Sequence, residues 1–315
     1  MSVPSSIQQD KPVILITAAD LAPEALALMS GYDIVYAGKA PTEQDIAGLC
    51  LVHDPVGIIV RYSKVGAQAM DAAPSLKVIS KHGSGTDTID KVAAEARGIE
   101  VVAAAGANAA AVAEQALALL LACAKSVVAL DARMRAGHWD KAAHKSLELK
   151  GKTLGLVGLG AIGQRVAHIA HAMDMQVIGF DPFAKAPVPH VRKVDLDTLW
   201  RESDAISLHC PLTDDNRNLL DAATLARCKP GVIVVNTARG GLIDEAALLA
   251  AVRNGQVRAA GLDSFAAEPM APAHPFLSQP GFILSPHIGG VTSDAYISMG
   301  VAAARNVLSA LAKSA

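Results

Sequence analysis

The chain has 315 residues, half of them apolar, which is long enough for two globular domains with their own cores and too apolar for a disordered protein. Its net charge of −2, with no block of like charges, gives no long-range attraction to nucleic acid or to an anionic membrane, so a small-molecule partner is expected. Four scattered cysteines, Cys50, Cys123, Cys210 and Cys228, form no CxxC pair; neither a disulfide framework nor a zinc site is indicated, and a reducing cytoplasm fits.

The opening MSVPSSIQQD lacks the basic start and apolar centre of a signal peptide. From VILIT (13–17) onward, the strand-like runs YDIVYA, GIIV, LKVIS and IEVVAA alternate with helical segments such as LAPEALALMS and KVAAEARG. That alternation predicts parallel strands covered by helices. Around GANAAAV (106–112) it gives way to an alanine- and leucine-rich helix reaching about Arg135, which reads as a domain boundary. Its most apolar stretch, ALALLLACA (116–124), is too short to span a bilayer, so a soluble chain is expected. Alternation then resumes with KTLGLVGLG (152–160), MQVIGFD (175–181), DAISLHC (204–210), GVIVVN (231–236), VRAAGLD (257–263) and GFILSPH (281–287). A last amphipathic helix runs from about Ser293 to Lys313. The fold class expected is α/β, with two domains.

At the start of the second alternation stands GLGAIG (158–163), a GxGxxG pattern. Alone it is a weak signal, because glycines mark many tight turns. Here it follows an apolar strand, opens the helix AIGQRVAHIAHAM, and the next strand ends in Asp181. Gly158 permits the turn, Gly160 lets the backbone approach a pyrophosphate, and Gly163 allows helix and strand to pack closely, while the helix N-terminus offers N–H donors. Asp181 is expected to take the adenosine ribose hydroxyls and to repel a 2′-phosphate, favouring NAD over NADP, although Lys185 lies nearby.

Three later strands each stop at a polar residue: Arg239, Asp263 and His287. In an open parallel sheet, ligands bind outside the carboxyl ends of the strands. An arginine there is costly to hold unless an anion meets its planar fork of donors, and a substrate carboxylate would do so. His287 can exchange a proton near neutrality, and Glu268, in the turn LDSFAAEP, would accept a hydrogen bond from its other ring nitrogen. The glycines after His287, Gly289 and Gly290, would let a ligand approach the backbone. His209 ends a strand near the expected cofactor. His168 and His171 sit one helical turn apart without an acidic or cysteine partner, and no metal is expected.

The motifs HGSGTDTID (82–90), VAEQALALLLA (112–122), GKTLGLVGLGAIGQRVA (151–167), HCPLT (209–213), VNTARGGLIDEAAL (235–248), GLDSFAAEP (261–269) and SPHIGG (285–290) resemble the D-isomer-specific 2-hydroxyacid dehydrogenases. Within that family the chain is similar to the phosphoglycerate dehydrogenase and hydroxypyruvate/glyoxylate reductase branch. The resemblance implies two Rossmann-like, doubly wound parallel-sheet domains. The substrate domain would be flavodoxin-like and discontinuous (1–105 and 288–315), and the NAD-binding Rossmann domain would be 106–287.

The same resemblance implies hydride transfer between NADH and a small 2-oxo acid, with Arg239, Glu268 and His287 as the catalytic trio. It sets Asp263 beside the nicotinamide carboxamide and Ala161, Ile162, Thr213 and Ala238 along the cofactor, with Pro211 and Thr237 from the same motifs. Arg61, His82, Gly83, Ser84, Gly85 and Asn108 match substrate-lining positions, and a homodimer through the cofactor domains is implied. Two other readings share the fold: a formate dehydrogenase, disfavoured by glutamate rather than glutamine at Glu268, and an NAD-sensing corepressor.

Overall fold

A computed structural model describes residues 11–313; the N-terminal stretch read above for targeting lies outside them. The chain forms two compact units, Met1–Asn108 with Thr292–Ala315, and Ala109–Val291.

In the first unit, β1 (Val13–Ile16), β2 (Asp33–Tyr36), β3 (Gly57–Val60), β4 (Val78–Lys81) and β5 (Glu100–Ala103) are joined by α1 (Pro23–Leu28), α2 (Glu43–His53), α3 (Ala67–Asp71) and α4 (Lys91–Ala96). Every pairing is parallel, in the order β2-β1-β3-β4-β5. Strands covered on both faces must be apolar throughout, and the GIIV of β3 is buried at all of its residues.

The second unit opens with α5 (Ala109–Lys125) and α6 (Val127–Arg135). The single helix expected to Arg135 is in fact two, bent by 61° at Ser126, which takes a left-handed φ of 55°. The break falls where the buried stripe of α5 ends at Ala124; Leu147 returns to donate its N–H to the Ala124 carbonyl, and α6 buries none of its residues.

The sheet that follows contains β6 (Thr153–Val157), β7 (Gln176–Phe180), β8 (Val191–Lys193), β9 (Ala205–Leu208), β10 (Val232–Asn236), β11 (Val257–Leu262) and β12 (Phe282–Leu284). Its order is β12-β11-β10-β9-β6-β7-β8, parallel throughout. Around it lie α7 (Ala161–Ala172), α8 (Leu196–Glu202), α9 (Ala222–Arg227) and α10 (Glu245–Arg253). The helix α7 turns Gly163, Val166, Ala167 and Ala170 inward, a helical stripe that packs on the sheet.

The last helix, α11 (Ser293–Lys313), returns to the first unit. By length and composition it could cross a membrane. Here its Ala303, Ala304, Val307 and Ala310 instead complete the core built on Ile14, Ile16, Ile59 and Val78.

Candidate active site

The second unit is a doubly wound sheet whose strand order reverses between β6 and β9, and such a reversal leaves a crevice at the carboxyl ends of the strands. The glycine loop lies there. Gly158 has a φ of +98°, and a side chain on it would begin 2.7 Å from the Cys210 backbone nitrogen. One on Gly163 would begin 2.1 Å from the Gly158 carbonyl oxygen. Gly160 is different: nothing lies within 4 Å of where its Cβ would be, and it starts α7 without a side-chain cap. Open space before uncapped helix N–H groups fits a pyrophosphate, so the residues present suit a dinucleotide. Ala161 is exposed and Ile162 half-buried at that helix start.

Asp181 follows β7. Its Oδ2 accepts from the Leu159 N–H at 2.8 Å, and its Oδ1 accepts from Phe183 at 2.8 Å and Ala184 at 3.1 Å. The carboxylate thus ties the glycine loop to the turn after β7, a role that residue spacing did not disclose. His209, packed behind Gly158, shares a hydrogen bond of 2.9 Å with Ser207, and burial pushes its pKa down to about 4. Pro211 and Thr213 are exposed on the following loop, which Asn216 braces by accepting from Thr213 N–H at 2.7 Å.

The strands β10, β11 and β12 are neighbours, so the residues that follow them share one edge of the sheet. After β10, the buried Asn236 shapes the turn: it donates to the Arg239 carbonyl at 2.8 Å and accepts from Ala238 N–H at 3.0 Å. Arg239 itself donates to the Ala238 carbonyl at 2.8 Å and is half-buried. Two hydroxyls at these strand ends, Thr237 Oγ1 and Ser264 Oγ, are buried without a hydrogen-bond partner.

Glu268 and His287 meet directly. The Glu268 Oε2 lies 2.7 Å from His287 Nδ1, while its Oε1 accepts from Phe265 N–H at 2.9 Å. His287 holds a left-handed φ of 54°, unusual for a residue with a side chain and a form of local strain that gathers at functional sites.

What holds His287 is Asp263. This side chain is buried, and its carboxylate accepts from Ser285 Oγ at 2.6 Å, Ile288 N–H at 3.0 Å and Gly289 N–H at 2.7 Å. Gln115 on α5 adds a bond of 2.9 Å to Ser285 Oγ. Gly289 is buried against the same carboxylate, with room for no side chain: a Cβ would begin 2.9 Å from Asp263 Oδ2. Gly290 follows it, half-buried. Gln115 and Ser285 were missed from the sequence, because a polar residue in an apolar helix and a serine before a proline carry no distinctive spacing.

The six positions matched to substrate contacts all belong to the first unit. Arg61, after β3, donates to Asp20 Oδ1 at 2.6 Å, and the same oxygen accepts from the Tyr296 hydroxyl at 2.8 Å. The guanidinium lies 5.0 Å from the Tyr296 ring centre. His82, after β4, is buried with Nε2 unpartnered and its ring 5.6 Å from Tyr296. Burial first, then the Arg61 charge, lowers its pKa to about 4, so the ring is neutral. Gly83 has a φ of +137°, Gly85 follows half-buried, and Ser84 donates to Asn108 Oδ1 at 3.3 Å. Asp20 and Tyr296 had no signal in the sequence.

Among the described residues, no group of three or more His, Cys, Asp or Glu side chains could hold a metal. The ring of His171 stacks on His190 at 3.9 Å.

Residues 117–289 match the family described as D-isomer specific 2-hydroxyacid dehydrogenase, NAD binding domain. The chain belongs to the D-isomer-specific 2-hydroxyacid dehydrogenases. It is 45% identical over 247 residues to the hydroxypyruvate reductase of Thermotoga maritima, covering 78% of this chain and 81% of that protein. To the D-3-phosphoglycerate dehydrogenase of Mycobacterium tuberculosis it is 41% identical over 305 residues, 96% of this chain but only 57% of that longer protein. A solved glyoxylate reductase from Paecilomyes thermophila superimposes with a TM-score of 0.87 at 30% identity, covering 96% of each chain. This 2-hydroxyacid dehydrogenase therefore sits in the phosphoglycerate dehydrogenase and hydroxypyruvate reductase branch.

Proposed function

We propose that this dehydrogenase transfers hydride reversibly between NADH and a small 2-oxo acid of the hydroxypyruvate, glyoxylate or phosphohydroxypyruvate type. The observation that carries the reading is the 2.7 Å contact between Glu268 and His287, on the same sheet edge as Arg239.

In this reading Arg239 receives the substrate carboxylate in its planar fork, which fixes the carbonyl carbon and leaves the carbonyl oxygen toward His287. The nicotinamide cofactor, when bound, supplies the hydride. His287 donates its Nε2 proton to the carbonyl oxygen as that oxygen becomes an alkoxide. Glu268 accepts the Nδ1–H, which fixes the ring's orientation and leaves Nε2 toward the substrate. Asp263 holds the backbone on either side of His287. In the oxidative direction the same ring takes the hydroxyl proton. Arg61, His82, Gly83, Ser84, Gly85 and Asn108 are assigned to the substrate.

Gly158, Gly160, Ala161, Ile162 and Gly163 are assigned to the cofactor pyrophosphate. His209, Pro211, Thr213, Thr237, Ala238, Asp263, Gly289 and Gly290 are assigned to the rest of the cofactor's length. NAD is favoured over NADP because the Asp181 carboxylate repels a 2′-phosphate. A homodimer is supported by Val127, Val128, Met134 and Trp139, exposed apolar side chains on and just after α6 that a second copy would cover. Four free thiols, three of them buried, suit a reducing cytoplasm.

The test is a panel of hydroxypyruvate, glyoxylate, phosphohydroxypyruvate and longer 2-oxo acids, with NADH and NADPH consumption followed separately. Turnover of at least one acid with NADH preferred is expected. Turnover of none would return the chain to a cofactor-sensing role, and rapid formate oxidation to the formate dehydrogenase reading.

A further inference from the structure

We propose that Glu245 is a positioning residue for the Glu268–His287 pair, a clamp at the base of the loop that carries Glu268. The inference rests on the assignment of that pair to proton delivery.

Glu268 lies in an exposed run, Ala266 to Pro269, beyond the buried Phe265. Its own bond to Phe265 N–H ties it only to its immediate neighbours. Glu245, in the first turn of α10, reaches both ends of the longer loop. Its Oε1 accepts from Ala266 N–H at 2.9 Å, and its Oε2 lies 3.3 Å from His274 Nε2. Phe276 N–H points at His274 Nδ1 from 3.3 Å, so that nitrogen is the acceptor and Nε2 carries the proton. One carboxylate therefore receives a donor from each end of segment 266–274.

Three features make this more than a surface contact. Glu245 and His274 are only 23% and 20% exposed, so water competes weakly for the hydrogen bond between them. The carboxylate stands at a helix N-terminus, where negative charge is favoured. The start of the same stretch fits directly against the loop: a side chain on Gly240 would begin 1.9 Å from the Phe265 carbonyl carbon. Residues 239–245 thus hold Arg239 at one end and the Glu268 loop at the other. A carboxylate suits the position because both partners are donors; glutamine could accept only one of them.

The experiment compares E245A and E245Q with E268Q and with the double variant E245A/E268Q. NADH oxidation is followed with hydroxypyruvate, or with whichever acid of the panel is turned over fastest. E245A should lower kcat about tenfold or more, since small displacements of a reacting group are costly. KM for the acid and the NADH Kd, read by fluorescence, should stay within about twofold, and E245Q should fall between E245A and the parent. In the E268Q background, E245A should lower kcat no further, because the clamp acts through Glu268. Parental kcat in a folded E245A, an equal further loss in the E268Q background, or a collapse of NADH binding together with kcat would overturn the inference. A fully active E268Q would overturn the proton-delivery assignment and the clamp with it. An impaired E268Q beside a fully active E245A would overturn the clamp alone.

Discussion

Removing the Asp263 carboxylate tests how His287 is held. In Asp263→Ala, Ser285 Oγ, Ile288 N–H and Gly289 N–H all lose their acceptor. Ile288 is exposed and water can replace its partner, whereas Gly289 is buried and its N–H is left unsatisfied, at about 1–3 kcal/mol. The Ser285 hydroxyl also loses its acceptor, but the residue is only half-buried and water can take the proton, so its loss is smaller, roughly 1 kcal/mol. Deleting a buried charge also relieves its desolvation, which offsets part of that sum and leaves a net destabilisation of about 1–3 kcal/mol. The loop that keeps His287 at a left-handed φ would relax, and kcat should fall on the order of 10- to 100-fold.

Asp263→Asn retains one acceptor oxygen and should lie between. Urea unfolding gives the stability, steady-state NADH oxidation gives kcat, and fluorescence titration gives the NADH Kd. Unchanged stability with full kcat would refute the anchoring argument. A raised NADH Kd with unchanged kcat would leave Asp263 its cofactor contact alone and remove its anchoring of His287.

The two buried, neutral histidines make stability depend on pH. His82 and His209 both have pKa values lowered to about 4, against 6.5 unfolded, so between those values the unfolded chain binds protons that the folded chain does not. Stability should be flat above about pH 6.5 and fall toward pH 4, by up to roughly 3 kcal/mol for each ring. Urea midpoints at pH 7.5 and 4.5, with and without His82→Gln, check this; a midpoint that does not fall would show that the rings are not held neutral. The glycine loop separates fold from ligand. Gly160→Ala meets open space and should leave Tm unchanged while weakening NADH by about tenfold, whereas Gly163→Ala strikes a backbone oxygen and should lower Tm.

Much of the site was legible because its chemistry coincides with strand ends. A buried parallel strand announces itself as an apolar run; Asp263 directly follows β11, while Arg239 and His287 lie three residues beyond the ends of β10 and β12, close enough for the sheet to place them. The glycine loop was legible for the same reason. What escaped depends on contacts between distant segments. The carboxylates of Asp181 and Asp263 are occupied by backbone N–H groups that no spacing rule reveals. The cluster of Asp20, Arg61, His82 and Tyr296 is assembled when the last helix returns to the first sheet. The break at Ser126 was hidden because apolar residues continue through Val127 and Val128, while the buried stripe stops at Ala124. The edge strand β8 has only Val191 to mark it.

The role of Arg239 is tested most directly by comparing kcat/KM of the parent and Arg239→Lys on the best acid of the panel, with folding checked by circular dichroism. A lysine keeps the charge but loses the two-pronged grip on a carboxylate, so a fall of about 100-fold or more is expected. Near-parental kcat/KM in the folded lysine variant would contradict substrate anchoring by Arg239.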